Sequence, residues 1–258
     1  MKHLKRKFLK AQQATSDVVN VLDSVTIEDH KKTEKFILEN KNKLYAIIRT
    51  QDNQLIQAFE YGKENEIYFI PEPLPIVTYF DIGRQFYRHT EEKRINLFTI
   101  LDKEEKNVYA MLDAVNGFFA SAAISATFLF NSVESFINLK IKEDIQYPYE
   151  RKGKTTMYNK DLVVRYLPFD LKIKDAMSIS CNKSFHVEFA SKFEIICRIK
   201  KLRDDIMHTK VNTVKKPNFY SPLIIELLEF DFESTLYCIR DFINYYEPNL
   251  IEECDLCN

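Results

Sequence analysis

Residues 108–141 read VYAMLDAVNGFFASAAISATFLFNSVESFINLKI, and this stretch decides the fold class. It predicts one long helix. Its first half, up to Phe130, is apolar nearly all round. Such a helix is either the buried member of a bundle or a membrane span. Asp113 and Asn116 at its start, and the lack of a basic loop soon after it, favour the bundle. Gly117, Ser121 and Ser125 recur every fourth residue, so a second helix can approach closely along that line. After Phe130 the pattern changes. Asn131, Glu134, Ser135 and Asn138 form a polar stripe at helical spacing. That stripe fits a cleft wall and the solvent face of an amphipathic turn equally well.

The rest of the chain agrees with a mainly α protein. Four glycines and no tryptophan in 258 residues argue against a turn-rich β fold. A second long helix is expected from about His186 to Met207, with Ile195, Ile199, Leu202 and Ile206 as its core stripe. A last one is expected from about Pro222 to Tyr246, ending before Pro248. Residues 144–185 read as a mixed connector, with a loop at YPYERKGKTT and a short helix stopped before Pro168. Towards the N-terminus, residues 1–40 suggest one or two helices. KLYAIIRT (43–50), QLIQAFEYG (54–62) and EIYFIPEP (66–73) follow as an antiparallel β-meander. A helix near 77–92 and the charged connector DKEEKN (102–107) then lead into the long helix. The expected division is an α+β module at 1–104 and a helical bundle at 105–258.

Charge is unevenly spread although the net charge is −1. Residues 192–216 hold eight Lys/Arg against three acids, and 226–255 hold nine acids against Arg240. Five cysteines, an odd number, suit a reducing compartment such as the cytoplasm rather than a disulfide framework. Cys254 and Cys257 make half a zinc site without a second pair, so no metal and no cofactor is expected. The basic start, MKHLKRKFLKAQQ, has no apolar run behind it and is not read as a secretory signal or a membrane anchor. Phosphate-binding glycine loops and the common hydrolase motifs are missing.

Chemistry concentrates in KKLRDDIMHTK (200–210). Arg203 supplies a permanent planar cation, and His208 a proton shuttle. Asp204 lies one turn before His208, at a spacing that lets a carboxylate hold an imidazole. On a helical wheel Asp204 and His208 fall opposite the expected core stripe, together with Phe193 and Cys197, while Arg203 falls between the faces. Ordinary i, i+4 pairs (Lys200–Asp204, Lys201–Asp205) and a histidine at a helix C-terminus explain the same letters without any catalysis. A second arginine–histidine spacing, Arg84 to His89, lacks the paired polar helix.

Two elements together resemble a HEPN domain, a helical-bundle family rich in metal-independent ribonucleases. One is Arg203-Asp204-x-x-x-His208, the short form of the family's arginine–polar–histidine motif. The other is Ser132-x-Glu134-x-x-x-Asn138 on the earlier helix. The resemblance covers about residues 108–247. Asp204 stands where Asn is the commoner choice, and residues 144–185 lengthen the separation of the motifs. The resemblance implies an up-and-down bundle that forms a homodimer. It implies RNA as substrate, Arg203, His208 and Asp204 as catalytic residues, and Glu134 and Asn138 as support. It also implies toxin or defence roles under an antitoxin or other regulatory protein. Some members have lost catalysis and bind a nucleotide or a protein instead, which is the alternative reading.

Overall fold

A computed structural model describes residues 4–8, 46–49, 55–63, 66–105, 107–208 and 220–254. The protein is mainly helical. It divides into two compact units, one of residues 6–74 and one of residues 1–5 with 75–258. The division therefore falls at Leu74/Pro75, not at 104/105. The helix after Pro75 belongs to the helical unit because its apolar face is buried against the long helix.

In the smaller unit, β1 (Ala46–Arg49), β2 (Leu55–Lys63) and β3 (Glu66–Pro71) form the expected antiparallel meander. Tyr61 pairs with Tyr68, and Lys63 with Glu66. Phe8 bridges to Pro73 at its margin. Leu4 makes a similar bridge to Glu253 within the helical unit. Residues 4–8 are thus not helical; the remainder of the helices expected in 1–40 lies outside the described residues.

The helical unit is built on a hairpin of α1 (Pro75–Leu101) and α2 (Val108–Lys140). Asn107 caps α2 by accepting the Ala110 amide at 3.1 Å. Of the three small residues only Ser125 marks a close crossing, since a Cβ at Gly117 would make no more than ordinary contact with Lys93. Ser125 Oγ donates to the Gly83 carbonyl at 3.0 Å, and Gly83 lies against Leu129 with no room for a Cβ. The helix is less enclosed than a bundle core helix, however. Only 39% of its most apolar window is buried, and Val108, Tyr109 and Leu112 are exposed. Before Ser121 it buries only Ala114 and Phe118.

Residues 144–185 hold more structure than their composition suggests. A hairpin of β4 (Tyr147–Arg151) and β5 (Lys154–Tyr158) turns at Lys152 and Gly153, both at positive φ (52° and 71°). The expected loop is therefore a two-residue β-turn connection. The short helix α3 (Lys160–Tyr166) follows, capped by Asn159. A continuous coil then runs through α4 (Phe169–Leu171), a π-helical turn (Lys172–Met177) and α5 (Ser178–Cys181).

The second long helix starts later than expected. A short α6 (Phe185–Glu188) breaks at Phe189 before α7 (Ala190–Met207). The last helix is likewise split, into α8 (Ser221–Glu229) and α9 (Phe232–Tyr246), because Asp231 caps a new start by accepting the Ser234 amide. Phe136, Phe185, Phe242, Tyr245 and Tyr246 form an aromatic cluster where α2, α6 and α9 meet. The charge asymmetry resolves partly into cross-helix pairs. Lys192 meets Asp241 at 2.7 Å and Lys201 meets Glu226 at 3.1 Å, joining basic α7 to the acidic C-terminal helices.

Candidate functional site

α7 buries Phe193, Ile196, Ile199 and Leu202. This differs from the expected stripe, since Ile195 and Ile206 are only half-buried and Phe193 is core. The frame is rotated because α7 packs against both α2 and α9, so its buried arc lies between the two. Arg203 follows Ile196 by seven residues, nearly two turns, and so falls on the buried arc rather than between faces.

The result is a stack that the sequence did not reveal. The Arg203 guanidinium lies 4.2 Å from the ring centre of Phe130 on α2. Phe169 meets the same ring, at 5.1 Å between centroids. Arg203 Nη2 sits 3.8 Å from Glu134, one turn beyond Phe130, and Nη1 sits 2.9 Å from Asp204. Its side chain is 19% exposed, and Nε is buried with no hydrogen-bond partner. So Glu134 and Arg203, picked from separate motifs, do come together across two helices. A cation over an aromatic face gains more when water is excluded, as it largely is here.

Asp204 does not hold His208. Its carboxylate is engaged by Lys200 at 2.6 Å and by Arg203, and among the described residues no ion pair joins it to the imidazole. His208 is the C-cap of α7. Its amide donates to the Asp204 carbonyl at 2.8 Å, and its side chain is exposed. The backbone there (φ −115°, ψ 50°) has already left the helix, which swings the ring off the i, i+4 line.

Asn138 is half-buried, with Oδ1 sealed from solvent and lacking a hydrogen-bond partner. Ser132 turns back to its own helix, donating to the Leu129 carbonyl at 2.7 Å, and takes no part in the stack. A lysine that no motif pointed to stands nearby. Lys172 is 6% exposed, and its Nζ donates to the Val164 carbonyl at 2.6 Å. Burial pushes its amine below the ordinary lysine range, and the charge of Glu134 partly offsets this.

The other arginine–histidine spacing is structural. Arg84 is buried and paired to Asp81 at 2.6 Å, and exposed His89 lies 3.4 Å from Glu92. Among the described residues no group of His, Cys, Asp or Glu is arranged to hold a metal ion. Cys257 lies outside them.

No protein-family model, curated protein or solved structure matches this chain.

Proposed function

We propose that the protein is a metal-independent endoribonuclease of the HEPN type, acting as a homodimer on cellular RNA in the cytoplasm. The observation that carries this reading is the contact of Arg203 with Glu134 and Phe130, with His208 exposed at the end of the same helix. It joins the two short motifs on which the resemblance rests.

In the proposed reaction the ribose 2′-OH attacks the adjacent phosphorus. The P–O5′ bond breaks, leaving a 2′,3′-cyclic phosphate and a free 5′-OH. His208 takes the proton from the 2′-oxygen, or delivers one to the departing 5′-oxygen. A single imidazole does not fill both roles in one step, so the His208 side chains of two protomers divide them. Arg203 steadies the charge building on the phosphoryl oxygens. The incoming phosphodiester displaces Asp204 from the guanidinium fork, while Glu134 and Phe130 keep the fork in place. Asp204 acts here as the resting partner of Arg203.

A second reading is a non-catalytic module that binds a nucleotide or a partner protein. It is favoured by one observation: two carboxylates already neutralise Arg203, which is mostly covered. Cleavage of total RNA in EDTA separates the two. The nuclease reading expects the wild type to leave 2′,3′-cyclic phosphate ends. His208→Ala and Arg203→Ala, each folded by circular dichroism, should lose about 10²–10⁴-fold in rate. A wild type inert on varied RNAs, or variants that cut equally well, removes the nuclease reading. Equilibrium binding of nucleotides would then test the second.

A further inference from the structure

The hairpin of β4 and β5 has an anchored root and a bare cationic tip. At the root, Tyr147 is buried, and its hydroxyl donates to Asp175 at 2.7 Å in the π-helical turn. That turn also carries Lys172, whose amine is influenced by Glu134. Phe169, just before it, touches the Phe130 ring on which Arg203 lies. The hairpin is therefore fixed to the same elements that hold the arginine. At the tip, Arg151, Lys152 and Lys154 are all exposed, and among the described residues none forms an ion pair. This contrasts with the basic residues of α7, several of which are matched by carboxylates.

Register sorts the side chains further. Tyr147 pairs with Tyr158, Tyr149 with Thr156, and Arg151 with Lys154. Alternation puts these six residues on one face of the ribbon. That face runs from aromatic rings (Tyr149 and Tyr158, 5.0 Å between centroids) through a hydroxyl to two cations. The opposite face carries Glu150, Thr155 and Met157. Position 152 adds a third cation at a cost, because φ of 52° is a conformation better suited to Asn, Asp or Gly.

We infer that this hairpin face is a grip for single-stranded RNA, with phosphates on Arg151, Lys152 and Lys154 and a base against Tyr149. The inference deepens the proposed nuclease reading by assigning the element that holds the substrate strand. The chemistry is that of sequence-tolerant single-strand binders: cations that track the backbone beside rings that accept any base. Tyr149 is half-buried against Tyr158, and an unstacked base of an extended strand reaches its open side, whereas a duplex keeps its bases stacked inward.

The test is fluorescence anisotropy with a labelled 12-nucleotide RNA in EDTA. All chains carry His208→Ala, so that no strand is cut during titration. The comparison chain adds Arg151→Gln, Lys152→Asn and Lys154→Gln, where Asn suits the positive φ and keeps the turn. Each phosphate contact on a single strand adds about 0.7 to the slope of log K against log salt. Three contacts predict a slope lower by about 2, and about 100-fold weaker binding at 0.1 M salt. Tyr149→Ala should weaken single-strand binding and leave the salt slope unchanged. The proposal is overturned if the triple variant matches its parent in affinity and slope, or if the parent ignores RNA and binds phosphatidylserine vesicles instead. Cleavage by the wild type is scored separately. A hairpin-dependent RNA binder that never cuts keeps this inference and sinks the nuclease, whereas a nuclease indifferent to the tip does the reverse.

Discussion

Replacing Gly83 with alanine tests the packing that carries the site. A Cβ there comes 2.7 Å from Leu129 Cγ, and 2.9 Å from both Cδ2 and the backbone nitrogen of Leu129. Carbon atoms in good contact sit about 3.5–4.0 Å apart, so the overlap is about an ångström. The leucine side chain is fully buried and has little space to turn, and the backbone nitrogen cannot move without α2. The two helices must separate. Overpacking of this kind costs about 1–3 kcal/mol. The buried Ser125–Gly83 hydrogen bond is stretched at the same time, which adds about 1 kcal/mol. Alanine returns about 1 kcal/mol through its better helix propensity. The expected net loss is about 1–3 kcal/mol. For a domain of this size that lowers the melting temperature by about 3–10 °C. Thermal unfolding followed at 222 nm reads it directly. Leu129→Ala alone should cost about 2–5 kcal/mol as a buried truncation, and the double variant should lose less than the sum of the two single losses, because the two side-chain contacts vanish and only the backbone contact remains. A Gly83→Ala chain that melts at or above the wild-type temperature would refute the close crossing.

Tyr147 and Cys238 give two further checks. The Tyr147 hydroxyl is pushed up to about 12 by burial and by its bond to Asp175. Its folded pKa lies above the ordinary value of 10, so its contribution is complete below pH 10 and is lost as pH rises through about 12. Tyr147→Phe should cost about 1–2 kcal/mol at neutral pH and flatten the fall in stability above pH 10. Parallel stability curves for the two chains would rule out this role. Burial raises the Cys238 thiol to about 12, and its Sγ lies 3.0 Å from the Lys192 carbonyl. With almost no thiolate at pH 8, it should resist iodoacetamide until the chain unfolds, as peptide mass mapping would report. Early alkylation of Cys238 in the folded protein contradicts its placement.

How far the sequence reaches is clearest from individual elements. The meander, the long α2 and α3 were legible, because alternation, helical apolar spacing and Asn or Pro boundaries are local signals. The β4–β5 hairpin was not. Its strands are short, and Lys-Gly is a weaker turn signature than Asn-Gly. The breaks at Phe189 and Asp231 were hidden inside continuous helical patterns. At the site, Glu134 and Arg203 were each legible from their own motif, but their contact across α2 and α7 was not. Phe130 carried a faint signal, one turn before Glu134 on the same helix. Phe169 and Lys172 carried none, because they arrive through a coil whose course depends on tertiary packing. Asp204 and His208 had the right spacing for contact, yet the helix ends at His208 and the geometry of a continuous helix no longer applies. The domain boundary was misplaced because the prolines at 71, 73 and 75 end the sheet, and the charged run at 102–107 only turns a hairpin.

The α1–α2 pairing has a consequence for the order in which the molecule comes into being. Its two helices are neighbours in sequence, joined by a short connector, so closing them costs little chain entropy. Local pairings of this kind form rapidly, whereas distant ones wait. The arginine that lies on Phe130 is more than seventy positions downstream. During synthesis at about 5–20 residues per second, the scaffold exists for several seconds before its cation is made. A ribosome carrying the unfinished chain therefore holds the α1–α2 platform before the helix that lays Arg203 on Phe130 has been made.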